Sequence, residues 1–116
     1  MTPRDALAAQ VEAWNRGDLE GFVASCADDV VMVGVAGETV GKAALAAGYR
    51  AAYPDRAAMG RLTLDVVRED VVADRAVLVV RWEVVAVTTR GGFALLVLDR
   101  REDGWALRYD ATLRAP

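Results

Sequence analysis

The sequence predicts an α+β domain in which N-terminal helices pack on one face of a curved antiparallel sheet. Three observations carry that expectation. Helix starts, helix stops and apolar stripes at helical spacing fill the chain from Thr2 to Tyr53. Long β-type runs follow: Leu62 to Val72, Arg75 to Thr89, Phe93 to Arg101 and Trp105 to Leu113. Between them stand Ala73-Asp74, Gly91-Gly92 and Asp103-Gly104, each with the composition of a hairpin turn. Helices first and a meander after put the helices together on one side of the sheet. With 116 residues and no repeats or low-complexity tracts, residues 1–116 read as one domain able to bury a core.

The first helix starts at Thr2-Pro3-Arg4-Asp5, with Thr as N-cap, Pro in the first turn and an acid beside the positive end of the helix. Leu7, Val11 and Trp14 form its buried stripe. Asn15-Arg16-Gly17 ends it, because Gly enters the left-handed region without a Cβ penalty. Asp18 then caps a short second helix whose apolar face is Leu19, Phe22, Val23 and Cys26. Asp28-Asp29 read as turn and capping residues ahead of a strand from Val30 to Val33. A glycine-rich turn and a short return strand around Glu38 to Val40 come next. Gly41-Lys42 opens a third helix to about Tyr53, with Leu45, Tyr49 and Ala52 facing inward and Tyr53 at the margin, and Pro54-Asp55 stops it.

Alternation in the second half gives one apolar sheet face more than a two-layer monomer needs. Ala76, Leu78, Val80, Trp82, Val84 and Ala86 make one face of their strand, while Val77, Val79, Val85 and Val87 make the other around the pair Arg81 and Glu83. The run Phe93 to Leu98 is apolar on both sides. A second copy of the chain is the expected cover, giving a homodimer packed sheet to sheet with Arg81 and Glu83 as charge pairs in the interface.

Composition excludes several chemistries. The chain has no histidine, which removes Ser-His and Cys-His nucleophiles, imidazole proton shuttles and histidine metal sites. Its net charge of −3 argues against nucleic acid as a partner. No apolar run approaches the ~20 residues of a membrane helix, and no secretion signal is evident, so no membrane association is expected. Cys26 is the single cysteine, which fits a reducing cytoplasm, and its apolar neighbours mark it as a structural thiol. Gly37 to Lys42 imitates a phosphate-binding loop but has Ala36 where the first glycine belongs and Ala43 where a Ser or Thr would hold magnesium. Asp28 and Asp29, as strand neighbours, point to opposite faces and make a poor carboxylate pair. Neither a cofactor nor a metal site is expected.

Several of these stretches together resemble a known group. Trp14-Asn15-Arg16-Gly17-Asp18-Leu19, Asp28-Asp29-Val30, Gly41-Lys42-Ala43-Ala44-Leu45 and Asp103-Gly104-Trp105 with Tyr109-Asp110 are similar to the nuclear transport factor 2-like superfamily, especially its SnoaL-like and ketosteroid-isomerase-like members. The resemblance covers essentially the whole chain. It implies a cone-shaped, cystatin-like α+β fold with a pocket at the wide end. It does not choose among isomerases, cyclases, dehydratases, transport adaptors and association modules, all of which share that fold. Many relatives flank the aspartate of the last strand with histidines, where this chain has Tyr109 and Ala111.

Two functions stay open. One is an isomerase- or cyclase-type pocket protein for an apolar carbonyl-bearing ligand, with Asp110 as base, Tyr49 or Tyr53 as phenol donor, Trp14, Met32 and Trp82 as walls and Tyr109 among the ligand contacts. The other is a non-catalytic dimeric module that binds a ligand or a protein partner. Strand parity sets Asp110 against Trp105, Leu107 and Tyr109, so Asp110 faces the helices along with Trp105 only if a bulge intervenes.

Overall fold

Thr2 and Asp5 start the first helix reciprocally. The Thr2 hydroxyl accepts from the Asp5 N–H at 3.1 Å, and the Asp5 carboxylate accepts from the Thr2 N–H at 2.9 Å. The computed structural model describes residues 1–102 and 104–116, so Asp103 of the expected Asp103-Gly104 turn lies outside the described residues. Among them the helices are α1 (Pro3–Asn15), α2 (Leu19–Ala24), α3 (Lys42–Ala52) and α4 (Arg56–Met59). The strands are β1 (Cys26–Gly34), β2 (Gly37–Val40), β3 (Arg61–Val72), β4 (Arg75–Val85), β5 (Thr89–Arg101) and β6 (Gly104–Arg114). They form one open sheet in the order β2-β1-β6-β5-β4-β3.

The expected α+β architecture is present, with the helices on the inner face of the sheet. One pairing differs from an antiparallel meander: β1 and β6 run parallel. The chain leaves β2, passes through α3 and α4 to the far edge, and meanders back until β6 lies beside β1 in the same direction. The short α4 was not expected. Asp55, read as a helix stop, is also its N-cap, accepting from the Ala58 N–H at 2.8 Å. Arg56 in turn donates to the carbonyls of Asn15 and Arg16 at the end of α1, where a cation is favourable.

Trp14 and Asn15 fasten α1 to the start of β3. The Trp14 indole donates to the Met59 carbonyl at 3.0 Å. Asn15 both donates to the Leu62 carbonyl at 3.0 Å and accepts from the Leu62 N–H at 2.7 Å. Beneath the helices the core is Leu7, Val30, Leu45, Leu78, Val80, Leu96, Leu98, Trp105 and Leu107, all buried.

Several boundaries depart from the sequence reading. β1 begins at Cys26, so Cys26 and Asp28-Asp29 belong to a strand and not to a helix or turn. The two aspartates sit where β1 loses register with β6, between Cys26 and Val31, and they pair with Lys42 at 3.5 Å and Arg108 at 3.3 Å. Gly91-Gly92 is not a turn. Both lie inside β5, opposite Glu83 and Trp82 of β4, and the hairpin turns at residues 86–88. A Cβ on Gly92 would collide with the Leu113 carbonyl oxygen, and one on Gly91 would come within 2.7 Å of the Trp82 carbonyl oxygen. Glycine here allows close backbone approach within the sheet.

The outer sheet face is as apolar as expected. Val77, Val85, Phe93, Leu95, Tyr109 and Leu113 are all exposed there. Arg81 lies with its guanidinium 5.3 Å from the Phe93 ring centroid and makes no ion pair with Glu83 among the described residues. No helix among the described residues is long and apolar enough to cross a membrane.

Candidate functional site

Between the helices and the inner face of the sheet lies a cavity of about 370 Å³, within the range of small-molecule sites. Its wall is apolar and comes from every strand: Val30 and Met32 of β1, Leu62 and Leu64 of β3, Val80, Trp82 and Val84 of β4, Ala94 and Leu96 of β5, and Leu107 of β6. β2 adds Thr39, α1 contributes Gln10 and Trp14, α2 Phe22, and α3 Leu45, Gly48, Tyr49 and Ala52, with Tyr53 following. Gly48 and Ala52 are exposed and lie on its rim.

A bulge in β6 turns Asp110 into this cavity. Leu98 pairs with Leu107 and Val97 with Tyr109, so Arg108 is an extra residue on β6. Before it, Trp105 and Leu107 face inward; after it, Asp110 and Thr112 do. Arg108 ties the bulge to β1 by donating to the Asp29 carbonyl at 2.8 Å and pairing with the Asp29 carboxylate at 3.3 Å. The same bulge turns Tyr109 outward. The expectation that Tyr109 contacts a pocket ligand is therefore corrected: its ring lies on the outer face, 4.3 Å from the Arg108 guanidinium carbon and 6.0 Å from that of Arg75.

Asp110 accepts a hydrogen bond from the Thr112 hydroxyl at 2.6 Å on Oδ1. Burial outweighs that bond and pushes its carboxyl up to about 6. Tyr49 is shifted further: burial first, then the Asp110 charge, hold its phenol far above the ordinary tyrosine value. It therefore keeps its proton and can donate a hydrogen bond at any physiological pH, and its side-chain acceptor among the described residues is the weak thioether of Met32, with Sδ at 3.7 Å. Tyr53 accepts from Arg90 Nη2 at 2.9 Å. Trp14 packs edge-on against Phe22, Tyr49 and Tyr53 with centroids 5.1 to 5.9 Å apart. Burial pushes the Cys26 thiol up to about 11, so it stays protonated and lacks nucleophilic character. Among the described residues no three Asp, Glu or Cys side chains converge as a metal site would require.

A family model described as a SnoaL-like domain matches residues 7–109. The chain belongs to the SnoaL-like family. No curated protein matches the sequence. Solved structures similar to this SnoaL-like domain include an NTF-2 like protein of unknown function from Shewanella oneidensis MR-1, at 25% identity and TM-score 0.87 over 93% of each chain. A ketosteroid isomerase-like protein from Erwinia carotovora atroseptica SCRI1043 is similar at 22% identity and TM-score 0.79, over 97% of this chain and 94% of that one. A candidate calcium/calmodulin-dependent protein kinase type II association domain from Thiobacillus denitrificans ATCC 25259 is similar at 28% identity and TM-score 0.75, over 97% and 95% of the two chains. Helices on a curved open sheet are the cystatin-like fold that such neighbours share.

Of the residues picked out from sequence, the SnoaL-like domain gathers Asp110, Tyr49, Tyr53, Trp14, Met32 and Trp82 around one cavity. Gln10, Arg90 and Thr112 also line it and were not picked as site residues. Gln10 had a visible signal: it is a polar residue on the α1 face that carries Leu7 and Trp14, and it is buried with its amide 3.9 Å from the Cys26 sulfur. Arg90 was hidden by the misplaced turn at Gly91-Gly92, which obscured its phase with Ala94 and Leu96.

Proposed function

We propose that this SnoaL-like chain, residues 1–116 acting as one domain, is a small-molecule pocket protein that moves a proton on an apolar, carbonyl-bearing ligand, as an isomerase or cyclase does. One observation carries the reading: a carboxylate and a phenol without a strong acceptor among the described residues face the same apolar cavity. With its carboxyl at about 6, Asp110 is mostly ionised at neutral pH yet basic enough to take a proton from carbon next to a carbonyl. The C–H bond breaks toward Asp110, its electron pair moves into the enolate, and Tyr49 donates a hydrogen bond to the developing oxyanion. Asp110 then returns the proton to a different carbon in an isomerisation, or the enolate carbon attacks a second carbonyl of the same ligand in a cyclisation and the resulting alkoxide oxygen takes the proton back from Asp110. Trp14, Met32, Tyr53 and Trp82 would hold the ligand and exclude water.

The test uses 2-tetralone, an apolar bicyclic ketone, and follows exchange of its α-protons in D2O by NMR. Exchange above the buffer rate is expected to rise with pH through about 6, as Asp110 ionises. Asp110→Asn is expected to lower it by about 100-fold or more, the usual contribution of a positioned general base. Exchange no faster than buffer would defeat the catalytic reading.

The apolar outer face favours a homodimer, and with it the second reading of a non-catalytic module for binding a ligand or a partner. The likeness to the Thiobacillus association domain supports that alternative. Leu95 lies between Val79 and Ala111 on this face and is 45% exposed. Sedimentation at micromolar concentration is expected to show a dimer for the native chain and a monomer for Leu95→Arg, because a sheet interface does not accept an unpaired buried charge. A native monomer would overturn this reading of the outer face. The lone, buried, free Cys26 supports a cytoplasmic location.

A further inference from the structure

Arg90 is a charged cavity side chain for which proton transfer supplies no task. It lies on the inner face of β5 opposite Val84, while Leu96 farther along the same strand pairs with Asp110. At strand spacing, Arg90 and Leu96 are up to about 20 Å apart, so the cavity has a cationic end and a carboxylate end. The strand arginines Arg61, Arg68, Arg81, Arg101 and Arg114 are exposed to solvent, while Arg75, Arg100 and Arg108 have carboxylate partners in Asp99, Asp74 and Asp29. Arg90 has none among the described residues. Its one side-chain hydrogen bond is to the Tyr53 oxygen at 2.9 Å, and its guanidinium carbon stands 5.1 Å from the centroid of the same ring.

A half-buried guanidinium without a counter-ion leaves most of its donors unused in an environment that strengthens ionic hydrogen bonds. Tyr53 holds it in one orientation, which lowers the entropy lost when the fork closes on a ligand. Among the described residues no other lysine or arginine lines the cavity. One planar fork suits a carboxylate, which it can bind through two parallel bonds, better than a phosphate, which calls for more positive charge.

We propose that Arg90, braced by Tyr53, is a carboxylate-binding subsite, and that the ligand of this cavity is an apolar keto acid. The inference rests on the pocket reading above and adds both the ligand's class and its direction. The acid group lies at Arg90, and the carbonyl lies toward Tyr49 and Asp110, whose negative charge repels the acid group from the other end.

The experiment is calorimetric titration at pH 7.5 with 1-naphthylacetate and with 1-naphthylacetamide, which share shape and differ in charge. The native protein is expected to bind the acid at least about tenfold more tightly than the amide, the usual gain from a charge-assisted bidentate contact. Arg90→Gln is expected to abolish that preference while leaving the amide's affinity as it was, and Arg90→Lys to restore part of it. A merely structural Arg90 would change both affinities together, and that result overturns the assignment. Equal affinities in the native protein overturn it without any variant and leave the apolar pocket standing. Binding of neither probe at millimolar concentration overturns both the subsite and the pocket reading.

Discussion

Replacing Asp110 with Asn is expected to stabilise the protein at neutral pH and to remove its base. Folding raises this carboxyl from 3.8 to about 6, chiefly through burial. Below about pH 4 the group is protonated in both folded and unfolded chains and contributes nothing. Between about pH 4 and 6 the folded chain keeps the proton that the unfolded chain has released, so stability falls as pH rises. Above about pH 6 the folded chain carries the full desolvation cost, which for a shift of this size is about 3 kcal/mol. Asn keeps an oxygen for the Thr112 hydroxyl and carries no charge. Urea unfolding at pH 7.5 should therefore show the variant more stable by about 1–3 kcal/mol, with the gain vanishing near pH 4. The quantity to follow is the difference between the two proteins, because Asp5, Asp18 and Asp99 have lowered values in the fold and lose stability in the opposite direction, as pH falls. A variant less stable at both pH values would mean that the Asp110 charge serves the fold. A variant more stable but inactive marks a residue kept for chemistry at the expense of stability.

This pH dependence requires Asp110 to point inward, a direction that sequence alone leaves undetermined. Strict alternation along β6 groups Asp110 with Arg108 and Thr112 against Trp105, Leu107 and Tyr109. The single extra residue at Arg108 reverses the phase halfway along the strand, so Asp110 joins Trp105 on the inner face and Tyr109 leaves it. The bulge coincides with an ion pair between Arg108 and Asp29, residues far apart in the chain, and no local pattern announces it. Asp28-Asp29 shows the same limit. Polar residues look like a turn when read locally, yet here they are the irregular part of a strand whose partners come from α3 and β6.

Elements fixed by short-range chemistry were far more legible. Thr2 as N-cap, Gly17 at φ 78°, Asp18 as N-cap and the turn at Ala73-Asp74 follow from residues a few positions apart, and the structure has each of them. The aromatic cluster was legible in part, since Tyr49 and Tyr53 lie one helical turn apart, but its depth was not. Arg90 shows how one misplaced boundary hides a site residue. With Gly91-Gly92 taken as a turn, Arg90 stood just past the end of the run from Arg75 to Thr89; as part of β5, it falls in phase with the cavity wall.

Trp14→Ala is expected to cost about 3–5 kcal/mol, a large share of the roughly 5–15 kcal/mol that holds a domain of this kind together. Trp14 is 4% exposed and makes two kinds of contact. Its ring packs against Phe22, Tyr49 and Tyr53, and its N–H holds the Met59 carbonyl where α4 hands over to β3. Truncation removes the ring contacts and deprives that carbonyl of its donor. The space it opens merges with the cavity that Trp14 already lines, so neighbouring side chains gain little by closing over it. Trp14→Phe keeps most of the apolar packing and loses the hydrogen bond, so it should cost only about 1–2 kcal/mol. Urea unfolding at pH 7.5 separates the two variants, and binding of 1-naphthylacetamide reports on the wall. Loss of stability in proportion to loss of probe affinity would mean that the residue that seats the ligand also holds the helical layer on the sheet. A cost below about 1 kcal/mol for Trp14→Ala would instead mean that α1 stays in place through Asn15 and its two bonds to Leu62, with Trp14 serving the cavity alone.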